Sequence, residues 1–300
     1  MLKDIYILLL ITGLLIMTSN TQADSFFGVD LDLVNVGIEV RVNDIPIYED
    51  IKAGQLTVEL PCPDSIVDGY NSLTVLAKPP KRGKEILENY EAGAYVNARI
   101  FRQDNDGEKQ YLAEIDLRLD SAGELAPIEE STLSERTPEL VRLGNKVTSF
   151  TAFAKIKSPF PSWAWQAGKK IEHNQESFDS LMQAYREVYV ALEEKDQARL
   201  KTLYTKRAEE IAIAYNLDGV DAGHKKISTG KDALNPSLKL LDFLDKNKLH
   251  LQVIGNKRLA RAVTISGNQP IAYIQENPRL LHIHKFMFYK NEKNQWVMIR

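Results

Sequence analysis

The apolar residues of this chain change their spacing near its middle, and this change constrains the fold more than any other feature. In the first half they alternate with polar residues, as at Val36, Ile38 and Val40. A period of two places alternate side chains on opposite faces of a β-strand. In the second half, apolar residues within 178–192 recur every three or four positions, which is typical of an amphipathic helix. The two periods together predict an α+β protein.

The order of the elements predicts two domains, which is also the expectation for a chain of this length. Residues 24–157 are predicted to form an antiparallel β-sandwich, and residues 176–300 an α+β domain in which helices precede a curved antiparallel sheet. Residues 158–175 form the linker between them, because Pro159 and Pro161 oppose a regular helix or a central strand there.

Helix boundaries in the second domain carry recognisable signals. Asp196 is predicted to cap the second helix, since a carboxylate at that position accepts hydrogen bonds from free backbone N–H groups. Asn235 and Pro236 are predicted to open a third helix, with Leu238 and Leu241 on its buried side. Five strands are expected after these helices.

The first 23 residues have the composition of a secretory signal peptide. Lys3 supplies a positive charge, Ile5–Met17 is an apolar run, and Thr21-Gln22-Ala23 is a cleavage site ending at Ala23. The run is shorter than the roughly 20 residues of a membrane span, so an uncleaved anchor is the weaker alternative. We therefore expect a periplasmic or secreted protein with no membrane span after cleavage.

The composition of the chain limits the classes of partner that it can bind. The formal net charge is −3, so the chain lacks the basic footprint of a nucleic-acid-binding protein. Hydrophobic residues make up 44% and charged residues 26%, which is enough apolar material for globular cores. The single cysteine, Cys62, cannot form an internal disulfide. It is predicted to be a buried apolar residue, with a reactive thiol as the alternative.

Part of the first domain resembles a known fold. The segments Val42–Ile47 and Val67–Val75, with Gly54 between them, resemble the jelly-roll sandwiches of galactose-binding-like and carbohydrate-binding modules. The likeness covers about residues 28–120. It implies a scaffold rather than a particular site, because sugar binding would also require exposed aromatic rings.

The second domain resembles the cystatin-like cone domains of the nuclear-transport-factor-2 type, over about residues 172–300. This resemblance rests on element order and helix pattern. It implies a curved sheet that wraps a helix and leaves a cavity. Because that family contains both enzymes and non-catalytic members, it implies no particular reaction.

No common catalytic motif is present in the sequence. The chain contains no G-x-S-x-G elbow, H-E-x-x-H helix, paired C-x-x-C or P-loop. We therefore assign no catalytic residue, and no cofactor or metal is expected.

His282 and His284 are the most suggestive remaining pair, because residues two apart on a strand point to one face. Two imidazoles at this spacing are able to share a metal, with His250 as a third ligand. The favoured alternative is a partly buried, hydrogen-bonded pair, since no carboxylate or cysteine motif accompanies them. Phe286 and Phe288 are expected on the same face.

Three aromatic residues complete the candidate pocket or interface. Trp163 and Trp165 form either an exposed anchor for a partner or, as we favour, packing between the domains. Tyr215 is expected to line a pocket together with the two histidines.

These features predict an exported, non-catalytic binding protein whose partner is another protein or an envelope component. One specific version is an immunity protein that neutralises a toxin delivered into the periplasm. A first alternative is an envelope enzyme or small-ligand receptor that uses the cavity of the cone domain. This alternative is favoured if both histidines open into a polar pocket. A second alternative is carbohydrate or peptidoglycan binding by the sandwich.

Overall fold

The computed structural model describes residues 25–104, 107–128, 133–144 and 146–300. The predicted signal peptide lies outside these ranges. The fold is α+β with antiparallel sheets, a strand-rich N-terminal part and the described helices in the C-terminal half, which confirms the predicted class.

Twelve described strands precede the first α-helix. They are β1 (Ser25–Val34), β2 (Gly37–Val42), β3 (Ile45–Asp50), β4 (Gln55–Pro61), β5 (Gly69–Lys78), β6 (Lys81–Arg82), β7 (Glu85–Ile86), β8 (Tyr95–Asp104), β9 (Gln110–Leu119), β10 (Leu125–Pro127), β11 (Glu139–Gly144) and β12 (Val147–Ile156). The first sheet has the order β10-β9-β8-β1-β4, the second has the order β11-β12-β5-β2-β3, and β6 pairs with β7.

The two five-stranded sheets share one hydrophobic core, as expected for a sandwich. Val36, Ile38 and Val40 are all buried in it, so the alternation in the sequence identifies the inward face correctly. Cys62 is fully buried in the same core, and burial raises the pKa of its thiol. This environment agrees with an apolar packing role and does not favour a reactive thiolate.

Two buried asparagines connect the turns of the sandwich. Asn43 Nδ2 donates to the backbone oxygen of Ser65 and to Asn71 Oδ1, both at 2.7 Å, and Asn43 Oδ1 accepts from the backbone nitrogen of Ser72. Asn71 Nδ2 donates to the backbone oxygen of Val67 at 2.8 Å. Both asparagines belong to the segments that resemble jelly-roll modules. Their role here is to hold the β2–β3 turn against the loop that precedes β5.

The C-terminal half contains four described α-helices and seven described strands. They are α1 (Gln175–Glu193), α2 (Gln197–Ala214), α3 (Gly219–Lys226), α4 (Lys231–Leu234), β13 (Leu238–Leu240), β14 (His250–Ile254), β15 (Leu259–Val263), β16 (Ala272–Glu276), β17 (Arg279–Ile283), β18 (Phe288–Lys290) and β19 (Trp296–Met298). The strands are antiparallel and form one sheet of order β13-β16-β17 and another of order β14-β15-β18-β19.

The predicted cap of α2 is present in the structure, whereas the predicted third helix is not. Asp196 accepts a hydrogen bond from the backbone nitrogen of Arg199, so the predicted cap of α2 is confirmed. The helix predicted to open at Asn235 and Pro236 is wrong: α4 ends before them, and Leu238–Leu240 is a strand paired with β16. Pairing with β16 overrides the helical spacing of the leucines, because it satisfies the backbone groups of the segment.

A third hydrophobic cluster joins the two halves, and we call it the junction. Its buried members come from the sandwich, from the segment around residue 164, from the end of α2 and from the C-terminal strands and their ends: Ile45, Trp163, Trp165, Ala214, Ile254, Leu259, Met287, Tyr289 and Ile299. Within the described ranges, no helix is both long and apolar enough to cross a membrane.

Candidate functional site

His282 and His284, the pair singled out in the sequence, line one cavity of about 370 Å³, which we call the histidine cavity. Its walls come from the end of α1, from α2, from residues 227–232 and from the chain around the end of β17. The residues that carry chemistry or aromatic rings there are Tyr204, Arg207, Ser228, Lys231, Asp232, His282, His284, Lys285 and Phe286.

His284 is held in a defined orientation. Its Nε2 lies 3.1 Å from Asp232 Oδ2, and its ring packs against Tyr273 and Phe286 with centroid separations of 5.3 and 5.6 Å. Burial lowers the pKa of His284, and the neighbouring Asp232 carboxylate opposes this effect. In the neutral form, Nε2–H donates to the carboxylate, which leaves Nδ1 as the acceptor of the ring.

His282 is less completely satisfied. Its Nε2 atom is buried and has no hydrogen-bond partner among the described residues. A buried polar atom without a partner costs about 1 to 3 kcal/mol, so a ligand atom that bonds to it gains affinity. His282 is therefore the imidazole of the two whose hydrogen-bonding capacity is left unused.

The predicted strand geometry around the histidines is only partly observed. Strand β17 ends at Ile283, so His284 lies just beyond it rather than within a regular strand. Both imidazoles nevertheless face the same cavity, where Phe286 forms part of the wall. Phe288 is buried in the core of the C-terminal half.

The structure does not bring a third metal ligand to the pair. His250 is the exposed first residue of β14 and is not among the residues that line the cavity. No group of three or more His, Cys, Asp or Glu side chains able to hold a metal ion exists within the described ranges.

The cavity is positively charged. Arg207, Lys231 and Lys285 line it, against the single lining carboxylate of Asp232, which is already engaged by His284. No hydrogen bond or ion pair joins the side chain of Arg207 to a described residue, and its guanidinium lies 6.0 Å from the ring centroid of Tyr204. Burial lowers the pKa of Arg207, and the nearby charge of Arg300 adds to this effect.

Arg207 and Lys285 also line a second cavity, of about 240 Å³, which we call the junction cleft. It lies between the sandwich and the C-terminal half. The sandwich contributes residues 46–49, 61 and 64, and the C-terminal half contributes Arg261, Met287 and Arg300. The two cavities therefore adjoin through a shared wall.

Trp163, Trp165 and Tyr215 belong to the junction and not to the histidine cavity. The tryptophans are 1% and 4% exposed, and Trp163 Nε1 donates to the backbone oxygen of Ile66 at 2.7 Å. Neither ring is available as an exposed anchor. Tyr215 packs against the junction with Lys226 over its ring, and burial raises its pKa to about 12. The expectation that Tyr215 lines a pocket with the histidines is not met.

The outer aromatic rings of the sandwich are covered by cationic side chains. The guanidinium of Arg118 lies 4.3 Å from the ring centroid of Tyr95, and that of Arg99 lies 4.2 Å from that of Tyr111. Tyr70 is 44% exposed, with Arg136 at 3.5 Å from its ring centroid. Sugar binding by stacking needs free ring faces, so this arrangement disfavours carbohydrate binding by the sandwich.

The cations that line the histidine cavity could not be identified from the sequence. Arg207, Lys231 and Lys285 have the spacing of ordinary surface residues, and no motif connects them. The dyad of Asp232 and His284 joins residues 52 positions apart, a separation that only the tertiary structure closes.

Comparison with protein-family models, with curated proteins and with solved structures yields no match to this chain. The geometry of the two cavities therefore carries the functional argument.

Proposed function

We propose that this chain is a non-catalytic binding protein that holds a small organic anion in the histidine cavity. One observation carries the proposal: three cations and His282, whose Nε2 has no hydrogen-bond partner, line a cavity whose only described carboxylate is already engaged. A charged cluster of this kind favours an anion, since charge-assisted hydrogen bonds are about twice as strong as neutral ones.

The walls indicate the shape of the ligand. Lys231, Lys285 and Arg207 bind its anionic group, and His282 supplies a further hydrogen bond. Tyr204 and Phe286 provide aromatic surface for an apolar part of the same molecule. A cavity of about 370 Å³ accommodates a ligand of a few to some twenty non-hydrogen atoms, not a polymer.

An enzyme remains the second candidate, and one feature favours it. Ser228 lines the cavity with His284 and Asp232 and has a positive φ of 53°, a backbone strain often found at functional sites. No hydrogen bond joins Ser228 to either histidine, however, and a nucleophile needs such contact with its base. We therefore place ligand binding first.

The sequence supports two further parts of the proposal. The N-terminal segment supports export to the periplasm or the medium, where the ligand would be met. Exposed apolar side chains on the edge strand β11, namely Leu140, Val141 and Leu143, support a protein partner, as in the immunity-protein version.

The proposal is tested by isothermal titration of the purified protein with a panel of small carboxylates and organic phosphates. We expect at least one member to bind, and His282→Asn and Lys231→Gln each to weaken it about tenfold or more, because each removes a hydrogen bond worth about 1.5 to 3 kcal/mol.

His250→Asn and Lys225→Gln are the matched controls, since both residues are exposed and outside the cavity. They should leave the affinity unchanged. Absence of binding by the whole panel, or equal effects of cavity and control variants, would contradict the proposal. Chemical conversion of a panel member would instead support the enzyme candidate.

A further inference from the structure

We infer that the junction cleft is a second site, which takes a compact oxyanion such as a phosphate, sulfate or carboxylate group. Arg207 and Lys285 line both cavities, whereas Arg261, Arg300, Glu49 and Asp64 line only this cleft. The cleft is bounded by the sandwich on one side and by the C-terminal half on the other. An anion bound there contacts both halves of the molecule.

The charges that line the cleft are unequal in number. Arg207, Arg261, Lys285 and Arg300 face it, against the two carboxylates of Glu49 and Asp64. The lining therefore carries an excess of positive formal charge, which favours an anion as its ligand.

Arg261 is the most deeply buried of these cations, at 2% exposure. Its Nε donates to Gln252 Oε1 at 2.5 Å, which fixes the guanidinium plane. Its Nη2 donates to Glu39 Oε1 at 3.5 Å, and its Nη1 forms an ion pair with Glu49 Oε2 at 4.0 Å. The guanidinium of Arg261 is thus held in place by Gln252 and by two carboxylates at ion-pair distance.

Arg300 is positioned by the sandwich. It forms an ion pair with Asp64 at 3.1 Å and donates to Ser65 Oγ at 2.6 Å. Arg207, by contrast, has no hydrogen bond or ion pair to a described residue, and the same holds for Lys285. These two residues have donors left for a ligand, while Arg261 and Arg300 supply a fixed positive field around it.

The volume of about 240 Å³ suits an oxyanion with few additional atoms. Because the ligand bridges the two halves, it stabilises their contact as well as binding to them. Bound oxyanion should therefore raise the midpoint of thermal unfolding.

Titration calorimetry and thermal unfolding with inorganic phosphate, sulfate and acetate test the inference. Binding of acetate alone would indicate a carboxylate site, and binding of phosphate and sulfate would indicate a site for tetrahedral oxyanions. Arg207→Gln should weaken binding about tenfold or more. Glu49→Gln should strengthen it several-fold, because the variant removes a negative charge that lines only this cleft.

Two controls separate this site from the histidine cavity. Arg199→Gln removes an exposed arginine from the same helix as Arg207 and should have no effect. His282→Asn, which alters only the histidine cavity, should also leave phosphate binding unchanged. If Arg207→Gln does not fold, the exposed Lys285→Gln replaces it and should weaken binding as well.

Three results would overturn the inference. The first is that neither wild type nor Glu49→Gln binds any of the three anions. The second is that the Arg207 and Lys285 variants bind with the same affinity as Arg199→Gln. The third is that His282→Asn loses phosphate binding. The last result would show that the anion occupies the histidine cavity instead. That outcome leaves the proposed function intact, whereas loss of organic-anion binding alone leaves the junction site intact.

Discussion

At the scale of single residues, buried polar side chains hold turns and functional side chains in place through hydrogen bonds. Asn43 and Asn71 satisfy backbone groups that no strand partner reaches, and Asp232 orients His284. The histidines could be singled out from the sequence because their residue type and spacing are informative. Arg207 could not, because an isolated arginine on an amphipathic helix has the same sequence signature whether it faces solvent or a cavity.

Replacement of Asn71 by alanine should destabilise the fold by about 3 kcal/mol or more. The variant removes one of the two acceptors of Asn43 Nδ2 and leaves the backbone N–H and C=O of Val67 without partners. Each buried group that loses its partner costs about 1 to 3 kcal/mol. Urea unfolding measures the effect. Asn97→Ala is the control, because Asn97 bonds to Glu114 on the outer face of the first sheet, where water can replace it. Equal losses in both variants would contradict this account.

At the scale of elements, local pattern and long-range pairing compete, and the outcome depends on which one satisfies the backbone. The caps at Asn174 and Asp196 are local, so the starts of α1 and α2 can be predicted from the sequence. The segment Leu238–Leu240 has helical leucine spacing but becomes an edge strand, because β16 offers a partner distant in sequence. Contacts between helices are equally non-local, as α2 and α3 illustrate.

Gly223→Ala should destabilise the C-terminal half by about 3 kcal/mol, since α3 lies against α2 at this residue. A Cβ atom built on Gly223 would lie 2.0 Å from the backbone oxygen of Ala208, so the helices would have to separate. Gly219→Ala is the control: it has open space but a φ of 77°, and should cost about 1 kcal/mol. Chemical unfolding of both variants compares them, and an equal or smaller loss in Gly223→Ala would show that the helices adjust without cost.

At the scale of the whole molecule, the junction sets how the two halves meet. Trp163 contacts the sandwich through Ile66, and Glu210 of α2 accepts a hydrogen bond from the backbone nitrogen of Ala164 at 2.7 Å. Burial raises the pKa of Glu210 to about 7. The segment that contains the two prolines is thus bonded to groups from both halves. Because Glu210 supplies one of these bonds, its protonation state affects how the halves are held together.

Glu210 should make stability fall as pH rises from about 4.5 to about 7. In this window the folded state keeps the proton that the unfolded state has lost, so the folded state binds more protons and the free energy of unfolding decreases with pH. Glu210→Gln removes this component. The variant should therefore gain on the order of 3 kcal/mol relative to wild type between pH 4.5 and pH 8.

Urea unfolding of wild type and Glu210→Gln at pH 4.5, 6 and 8 measures this difference. The amide oxygen of glutamine is still able to accept the hydrogen bond from Ala164, so packing is kept while the charge is removed. A difference between the two proteins that stays constant with pH would show that Glu210 does not titrate in this range.

By itself, the sequence determined the local features of this protein: the inward face of the strands, the apolar face of α1, the cap of α2, and the α+β class. These follow from neighbouring residues, because side-chain period and cap chemistry act over a few positions. Only the tertiary structure decided which charges meet. Arg207, Arg261 and Arg300 lie far apart along the chain and converge in one cleft, since the packing of two halves, rather than any local pattern, brings them together.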